Sequence, residues 1–223
     1  MYIWFFICVL AVIAAIPLHF WSVEHLRLQE RYGKEKGIRI GKIYGLISGW
    51  GFFFFWIGIW VSPQPRFTIH LLQNLSVVVP VANFSIPLLH LLICAPFLIP
   101  GAWLGINGVK EVTVKVAETH RTEKIVTTGV YSIVRHPQHL GALLAHVGIS
   151  FLLSAGYSLL FTPLMVVLIY LISRKEEKEL IREFGKEYEE YKEKAPMLIP
   201  KFRKLTTNLS IGVVHLSHSL NRG

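Results

Sequence analysis

The sequence has few of the charged residues and cysteines on which soluble enzymes and disulfide-bonded proteins depend. Charged residues make up 17% of its 223 positions, against about 25% in a soluble domain. The two cysteines, Cys8 and Cys94, lie in apolar stretches without a CxxC pair. We therefore expect buried, inert thiols, no disulfide and no zinc site. No Ser/His/Asp arrangement and no metal-ligand spacing is recognisable, so no metal partner is expected.

Hydrophobic residues make up 52% of the chain and fall in blocks close to the roughly 20 residues that a bilayer-spanning helix needs. The pattern predicts an all-α integral membrane protein with five transmembrane helices. The first block lacks a basic start and a cleavage signal, which favours a retained helix over a signal peptide. The predicted spans are Tyr2–Trp21, Ile43–Val61, Phe84–Gly108, about Gln138–Ser154 and about Tyr157–Ser173.

The predicted domain organisation is simple. Residues 1–203 are expected to form a single membrane-embedded domain, and residues 204–223 a C-terminal tail. Three prolines in the third block predict kinks, and the turn at Ala155-Gly156 predicts a tight antiparallel hairpin of the fourth and fifth spans. The shorter apolar run Ile69–Ala82 suits an interfacial or re-entrant segment better than a span.

The formal net charge is +9, and the basic residues lie between and after the apolar blocks. They are dense in Ser22–Lys42 and Val109–Pro137 and after Ser173, whereas Ser62–Asn83 holds only Arg66. This alternation predicts an outer N-terminus and a cytoplasmic C-terminus. Basic residues in these positions set topology and meet anionic membrane lipids, so nucleic-acid binding is not expected. The expected location is the plasma membrane of a prokaryote or the endoplasmic reticulum of a eukaryote.

A helical pattern continues beyond the fifth span. Apolar and aromatic residues recur there on one face, opposite a face of lysine and glutamate, and Pro196 ends the pattern. We predict an amphipathic cytoplasmic C-terminal helix that continues the fifth span. The residues of its apolar face are Leu180, Ile181, Phe184, Tyr188 and Tyr191.

Charged side chains stand at both cytoplasmic ends of the predicted hairpin. Pro137 suits the first turn of the fourth span, which places Arg135 and His136 at a helix N-terminus, where anions are favourably held. Glu176 and Glu177 follow the fifth span. The residues alone leave two interpretations open: a charged, solvated membrane boundary, or a site for a zwitterion such as S-adenosylmethionine or for a nicotinamide dinucleotide.

An ordered set of motifs runs through the second half of the chain. It comprises Arg135-His136-Pro137 with Gly141, then Glu176-Glu177, then Phe184-Gly185 with Tyr188 and Tyr191. With these motifs, residues His120–Pro200 resemble the C-terminal half of the isoprenylcysteine carboxyl methyltransferase family, a pattern that the phospholipid N-methyltransferases share. One position departs from it, because His139 stands where the family has tyrosine.

The resemblance implies a five-span enzyme that uses S-adenosyl-L-methionine on the cytoplasmic side, with the cofactor-binding half at about residues 109–200. It implies a catalytic role for Arg135 and Glu176. The lipid or prenylated substrate would enter from the bilayer. The cofactor-binding residues that the resemblance implies are His120, Gly129, Tyr131, Arg135, His136, His139, Leu140, Glu176 and Glu177.

The expected reaction is methylation of the carboxylate of a membrane-borne lipidated substrate, such as a C-terminal isoprenylcysteine. A carboxylate is ionised near neutral pH, so it needs no general base. Three alternatives stay open: methylation of a phospholipid amine, which would need a base; reduction of a sterol-like substrate by NADPH, which the paired carboxylates disfavour; and a non-catalytic membrane scaffold.

Overall fold

A computed structural model describes residues 2–69, 71, 75–79, 84–112 and 124–201. These residues are mainly helical. A short antiparallel hairpin pairs Ser76 with Pro87, and a 3₁₀ helix covers Gly129–Ser132. The helices are α1 (Ile3–Val23), α2 (His25–Tyr32), α3 (Lys34–Val61), α4 (Leu88–Val112), α5 (Pro137–Leu152), α6 (Gly156–Phe184) and α7 (Lys186–Lys194), and the strands are β1 (Ser76–Val79) and β2 (Phe84–Pro87).

Four helices of the described residues, α1, α3, α4 and α6, are long and apolar enough to cross a membrane. These helices confirm the prediction of a mostly helical, multi-pass membrane protein. The fourth predicted span corresponds to α5, which has 16 residues and would rise about 24 Å at 1.5 Å per residue. This is short of a hydrocarbon core of about 30 Å, so the count of five spans stays a prediction.

One helix extends beyond its predicted span, and the predicted start of another span is wrong. Helix α3 begins at Lys34 rather than Ile43, because a helix continues through polar residues that hydropathy does not count as membrane-spanning. The third span begins at Leu88 rather than Phe84, because Phe84–Pro87 is paired with β1. Only part of Ile69–Ala82 is described, and the tail, residues 204–223, lies outside the described residues.

The helices pack closely around α5. Gly141 of α5 faces Gly101 of α4 so tightly that a Cβ added to Gly141 would lie 2.7 Å from the Gly101 carbonyl oxygen. Small residues at such contacts let helix backbones approach each other in membranes. This close approach fixes the position of α5, and with it the residues at its N-terminus.

A buried polar cluster links α3, α5 and α6. His146 Nδ1 accepts hydrogen bonds from the indole nitrogens of Trp56 at 2.8 Å and Trp60 at 3.1 Å. Its Nε2 lies 3.1 Å from the Ser158 carbonyl oxygen. Neighbouring helices thus satisfy both ring nitrogens, as buried polar groups require, and this histidine has a structural role.

The C-terminal region is two helices rather than one. Gly185, with a φ of +55° and a ψ of −126°, separates α6 from α7, because this conformation, which glycine adopts readily, cannot continue a helix. Tyr188, Tyr191 and Ala195 pack with Leu180, Ile181, Phe184 and Ile125 in a small core. Through this core, the segment that follows α7 packs against the segment that precedes α5.

Candidate functional site

The backbone before α5 is held by the segment that follows α7. The Arg135 N–H donates to the Pro196 carbonyl at 2.9 Å, and the His136 N–H donates to the Met197 carbonyl at 3.1 Å. Pro137 has no N–H and occupies the first turn of α5, as predicted. These two backbone N–H groups therefore bind protein carbonyls, and the expectation that the N-terminus of α5 holds an anion stays a prediction.

The Arg135 guanidinium is also bound within the protein. Its Nε donates to Glu177 Oε1 at 2.6 Å, and its Nη1 donates to the carbonyls of Ala195 and Lys192. The side chains of Arg135 and Glu177 are 7% and 6% exposed. Arg135 therefore positions Glu177 and the end of α7.

Glu176 is surrounded by three imidazoles. His19 Nε2 of α1 lies 3.0 Å from Glu176 Oε1, His136 Nδ1 lies 3.3 Å from Oε2, and His139 Nε2 lies 3.8 Å from Oε1. His139 Nδ1 is hydrogen bonded to Ser173 Oγ at 2.8 Å. The Glu176 side chain is 16% exposed, so this carboxylate is mostly buried and faces nitrogen groups.

His136 stands between the two carboxylates. Its Nε2 lies 3.4 Å from Glu177 Oε1 but makes no hydrogen bond of acceptable geometry in the part of the chain that the structure describes. Burial lowers the pKa of His136, but Glu176 and Glu177 outweigh burial and raise the pKa above its usual value. His136 and His139 stack with ring centroids 5.2 Å apart.

Tyr131 lies in the same site and is held by three hydrogen bonds. Its hydroxyl accepts a hydrogen bond from Gln138 Nε2 at 3.1 Å and donates to the Gly108 carbonyl at 3.4 Å. Its carbonyl accepts a hydrogen bond from the Tyr191 hydroxyl at 2.6 Å. Burial raises the pKa of Tyr131 to about 12, so the phenol stays protonated at neutral pH.

Gly129 is required at the start of the 3₁₀ helix. Its φ is +53°, and a Cβ there would overlap the Glu111 carboxylate. Glu111 Oε1 accepts the Val130 N–H at 3.0 Å. The role of Gly129 is thus to admit Glu111, which holds the 3₁₀ helix that carries Tyr131.

A cavity of about 200 Å³ lies between these elements. Of the predicted site residues, Tyr131, Arg135, His136, His139 and Glu176 line it. Gly129, Leu140 and Glu177 are not part of its lining, and His120 lies outside the described residues.

Sequence reasoning missed several residues of the site. His19 was missed because it lies 157 positions from Glu176, in a predicted span with no motif. Tyr188 and Tyr191 were assigned to a packing face and to the motif that follows Phe184-Gly185 but not to the site, although both line the cavity. The other cavity-lining residues that were missed include Lys124, Gln138, Glu179 and Glu183.

Comparison with known proteins supports the resemblance of the second half. Residues 93–187 match the family described as phospholipid methyltransferase. Methanethiol S-methyltransferase 2 of Bradyrhizobium diazoefficiens is 42% identical over 72 residues, which cover 32% of this chain and 27% of that protein. The protein-S-isoprenylcysteine O-methyltransferase of Schizosaccharomyces pombe is 34% identical over 87 residues, 38% of this chain and 36% of that protein.

A second Bradyrhizobium diazoefficiens relative, methanethiol S-methyltransferase 1, is 35% identical over 94 residues, 42% of this chain and 32% of that protein. The chain spans about a third of the length of these curated relatives. The predicted resemblance to the membrane methyltransferases is therefore confirmed for the segment from α4 to α7. His19 and α1 lie outside the matched segment.

Proposed function

We propose, from the similarity of residues 93–187 to membrane methyltransferases, that this chain transfers a methyl group from S-adenosyl-L-methionine to an acceptor that arrives from the bilayer. The observation that carries the proposal is the mostly buried Glu176 carboxylate at the wall of a cavity. The cavity lies where the matched segment brings its two motifs, Arg135-His136-Pro137 and Glu176-Glu177, together.

The lining of the cavity fits this cofactor by charge. S-adenosylmethionine carries a sulfonium, an ammonium and a carboxylate group. Glu176, Glu179 and Glu183 supply carboxylates to the lining, and Lys124 and Arg135 supply positive charges. Tyr188 and Tyr191 supply aromatic rings, whose faces attract cations. The phosphates of NADPH would face the same carboxylates, which disfavours the reductase alternative.

The size of the cavity has a consequence for binding. A volume of about 200 Å³ is below the 300–1,000 Å³ of typical ligand pockets. We therefore expect the cavity to widen when the whole cofactor binds.

The site residues would have different roles. Glu176 would accept hydrogen bonds from the ammonium group or the ribose hydroxyls of the cofactor, and Arg135 would act through Glu177 rather than on the cofactor. When bound, S-adenosylmethionine supplies an electrophilic methyl group. The remaining task of the protein is in-line placement of the acceptor in a pocket that excludes water.

For the acceptor, we propose the carboxylate of a lipidated substrate such as a C-terminal isoprenylcysteine. This acceptor is ionised at neutral pH and asks for no general base, and one similar protein is named for this reaction. The names of two other relatives favour a small thiol as a second candidate. The matched family favours a phospholipid amine as a third.

For the orientation, we propose an outer N-terminus and a cytoplasmic C-terminus, which places the cavity at the cytoplasmic boundary of the membrane. The basic residues of α2 and of the start of α3 lie at the same end of the molecule as the cavity, because Val23 and His25 line it. This agrees with the tendency of lysine and arginine to remain on the cytoplasmic side.

Binding of S-adenosylmethionine, S-adenosylhomocysteine and NADPH to the detergent-purified full chain tests the cofactor. We expect both S-adenosyl compounds to bind and Glu176→Gln to weaken them at least tenfold. Glu187→Gln on the exposed side of α7 serves as the control and should bind like the wild type. Binding of NADPH alone, or equal affinity of the two variants, would contradict the proposal.

Transfer of a radiolabelled methyl group tests the acceptor. N-acetyl-S-farnesylcysteine, methanethiol and phosphatidylethanolamine vesicles would be offered separately to the same preparation. We expect a base-labile methyl ester on the first compound. A labelled thioether or a labelled amine would instead assign the chain to one of the other two acceptors.

A further inference from the structure

We propose that His136, His139 and Glu176 form a binding site for a divalent transition-metal ion. One ring nitrogen of each histidine and one carboxylate oxygen of Glu176 lie within 4.8 Å of one another. Two histidines and a carboxylate are a recurring ligand set for Zn²⁺ and for other first-row metal ions.

Each histidine lies close to one oxygen of the Glu176 carboxylate. His136 Nδ1 lies 3.3 Å from Glu176 Oε2, and His139 Nε2 lies 3.8 Å from Glu176 Oε1. For metal–ligand bonds of about 2.0–2.2 Å, the ligand atoms of a tetrahedral site lie about 3.3–3.6 Å apart. The three ligand atoms lie within 4.8 Å of one another, so the side chains would have to draw together by about 1 Å to share one ion.

The other nitrogen of each ring faces a group that would orient it. His136 Nε2 lies 3.4 Å from Glu177 Oε1, which Arg135 holds in place, and His139 Nδ1 is hydrogen bonded to Ser173 Oγ. Metal-binding histidines commonly place their second nitrogen against a carboxylate or another hydrogen-bonding partner. The arrangement thus includes the outer contacts of a metal site.

The unpaired Nε2 of His136 is a second observation that supports a metal site. His136 is 8% exposed, and its Nε2 makes no hydrogen bond of good geometry within the described residues. A small rotation of the ring toward a metal at Nδ1 would bring the Nε2–H toward Glu177. Buried polar groups are normally paired, so metal binding would relieve an unfavourable arrangement.

The site also has an entry path and an open position. All three proposed ligands line the cavity, so an ion can reach them from its opening. Three protein ligands leave a fourth position for water or another ligand. Because the proposed function assigns Glu176 to S-adenosylmethionine, metal and cofactor are expected to compete for this carboxylate.

The ligand chemistry predicts which ions bind. Imidazole nitrogens favour Zn²⁺, Co²⁺, Ni²⁺ and Cu²⁺, whereas Mg²⁺ prefers oxygen ligands. Tag-free full-length protein, treated with a chelator and then dialysed, would be titrated with Zn²⁺ and Mg²⁺ in a calorimeter without S-adenosylmethionine. We expect one Zn²⁺ per chain, a higher thermal midpoint with Zn²⁺, and no effect of Mg²⁺.

His139→Tyr is the decisive variant, since it removes a ligand nitrogen and introduces the residue of the resembled motif. We expect it to weaken Zn²⁺ binding at least tenfold. Glu176→Gln should weaken Zn²⁺ similarly, and Glu187→Gln should leave it unchanged. Visible absorption of bound Co²⁺ should be strong in the wild type and absent from His139→Tyr.

Two results would overturn the inference. One is wild-type protein that binds no Zn²⁺. The other is Zn²⁺ binding that survives His139→Tyr and is lost in a His215→Ala/His218→Ala variant of the C-terminal tail. Protein that binds Zn²⁺ but no S-adenosyl compound would support the metal site and contradict the proposed function, so the two conclusions fail separately.

Discussion

Arg135 and Glu177 form a buried ion pair that joins the segment before α5 to the C-terminal part of α6. The Arg135 Nε lies 2.6 Å from Glu177 Oε1, and the side chains are 7% and 6% exposed. The same guanidinium binds the carbonyls of Lys192 and Ala195. One side chain thus ties together three segments at the candidate site.

Removing one partner of this pair should destabilise the protein strongly. We expect Arg135→Met to lower the free energy of unfolding by about 3–5 kcal/mol, because an unpaired buried carboxylate remains. Arg182→Met is a matched control, since Arg182 pairs with Glu179 at 2.8 Å but is 61% exposed, and it should cost less than about 1 kcal/mol. Unfolding by denaturant in detergent gives both values, and equal losses would contradict the prediction.

His136 should make stability depend on pH. Its folded pKa is raised above the unfolded value of about 6.5 by Glu176 and Glu177, despite burial. Its contribution is therefore complete below about pH 6.5 and is lost as pH rises through the folded pKa. We expect the difference in thermal midpoint between the wild type and His136→Gln, with chelator present, to be largest at low pH. A difference that grows with rising pH would have the wrong sign.

Gly129→Ala should be more harmful than the same change at another left-handed glycine. Alanine at Gly129 would meet both the strain of φ +53° and the Glu111 carboxylate, whereas Gly185, at φ +55°, has nothing within 4 Å of an added Cβ. The backbone strain alone costs about 1–3 kcal/mol at either position. We expect Gly185→Ala to lower the free energy of unfolding by that amount. Gly129→Ala should lower it clearly more and should also weaken S-adenosylmethionine binding. Equal losses of stability would show that the Glu111 side chain moves aside without cost.

His146→Phe should destabilise the helix packing without removing any proposed cofactor contact. It leaves the indole N–H groups of Trp56 and Trp60 without their acceptor, and each unsatisfied buried group costs about 1–3 kcal/mol. Trp56→Phe is the comparison, because Trp60 still donates to His146 at 3.1 Å, and it should cost less. Thermal unfolding and S-adenosylmethionine binding checked together would show a lower midpoint with unchanged affinity.

Local features of the chain were sufficient for much of the architecture. Hydropathy indicated α1, α3, α4 and α6, because a spanning helix must be apolar along its own length. Pro137 marked the start of α5 for an equally local reason. The boundary at Lys34 and the break at Gly185 were missed, since polar helix extensions and glycine conformation depend on what lies around them.

The sequence by itself determined that this is a helical membrane protein whose Arg135-His136-Pro137 and Glu176-Glu177 motifs resemble those of membrane methyltransferases. Only the tertiary structure decided how those residues are used. In the folded protein, Arg135 binds Glu177 and carbonyls at the end of α7, and His19 of α1 lies against Glu176. The physical reason is that spans and turns follow from neighbouring residues, whereas the partner of a buried charge is chosen by packing between helices distant in sequence.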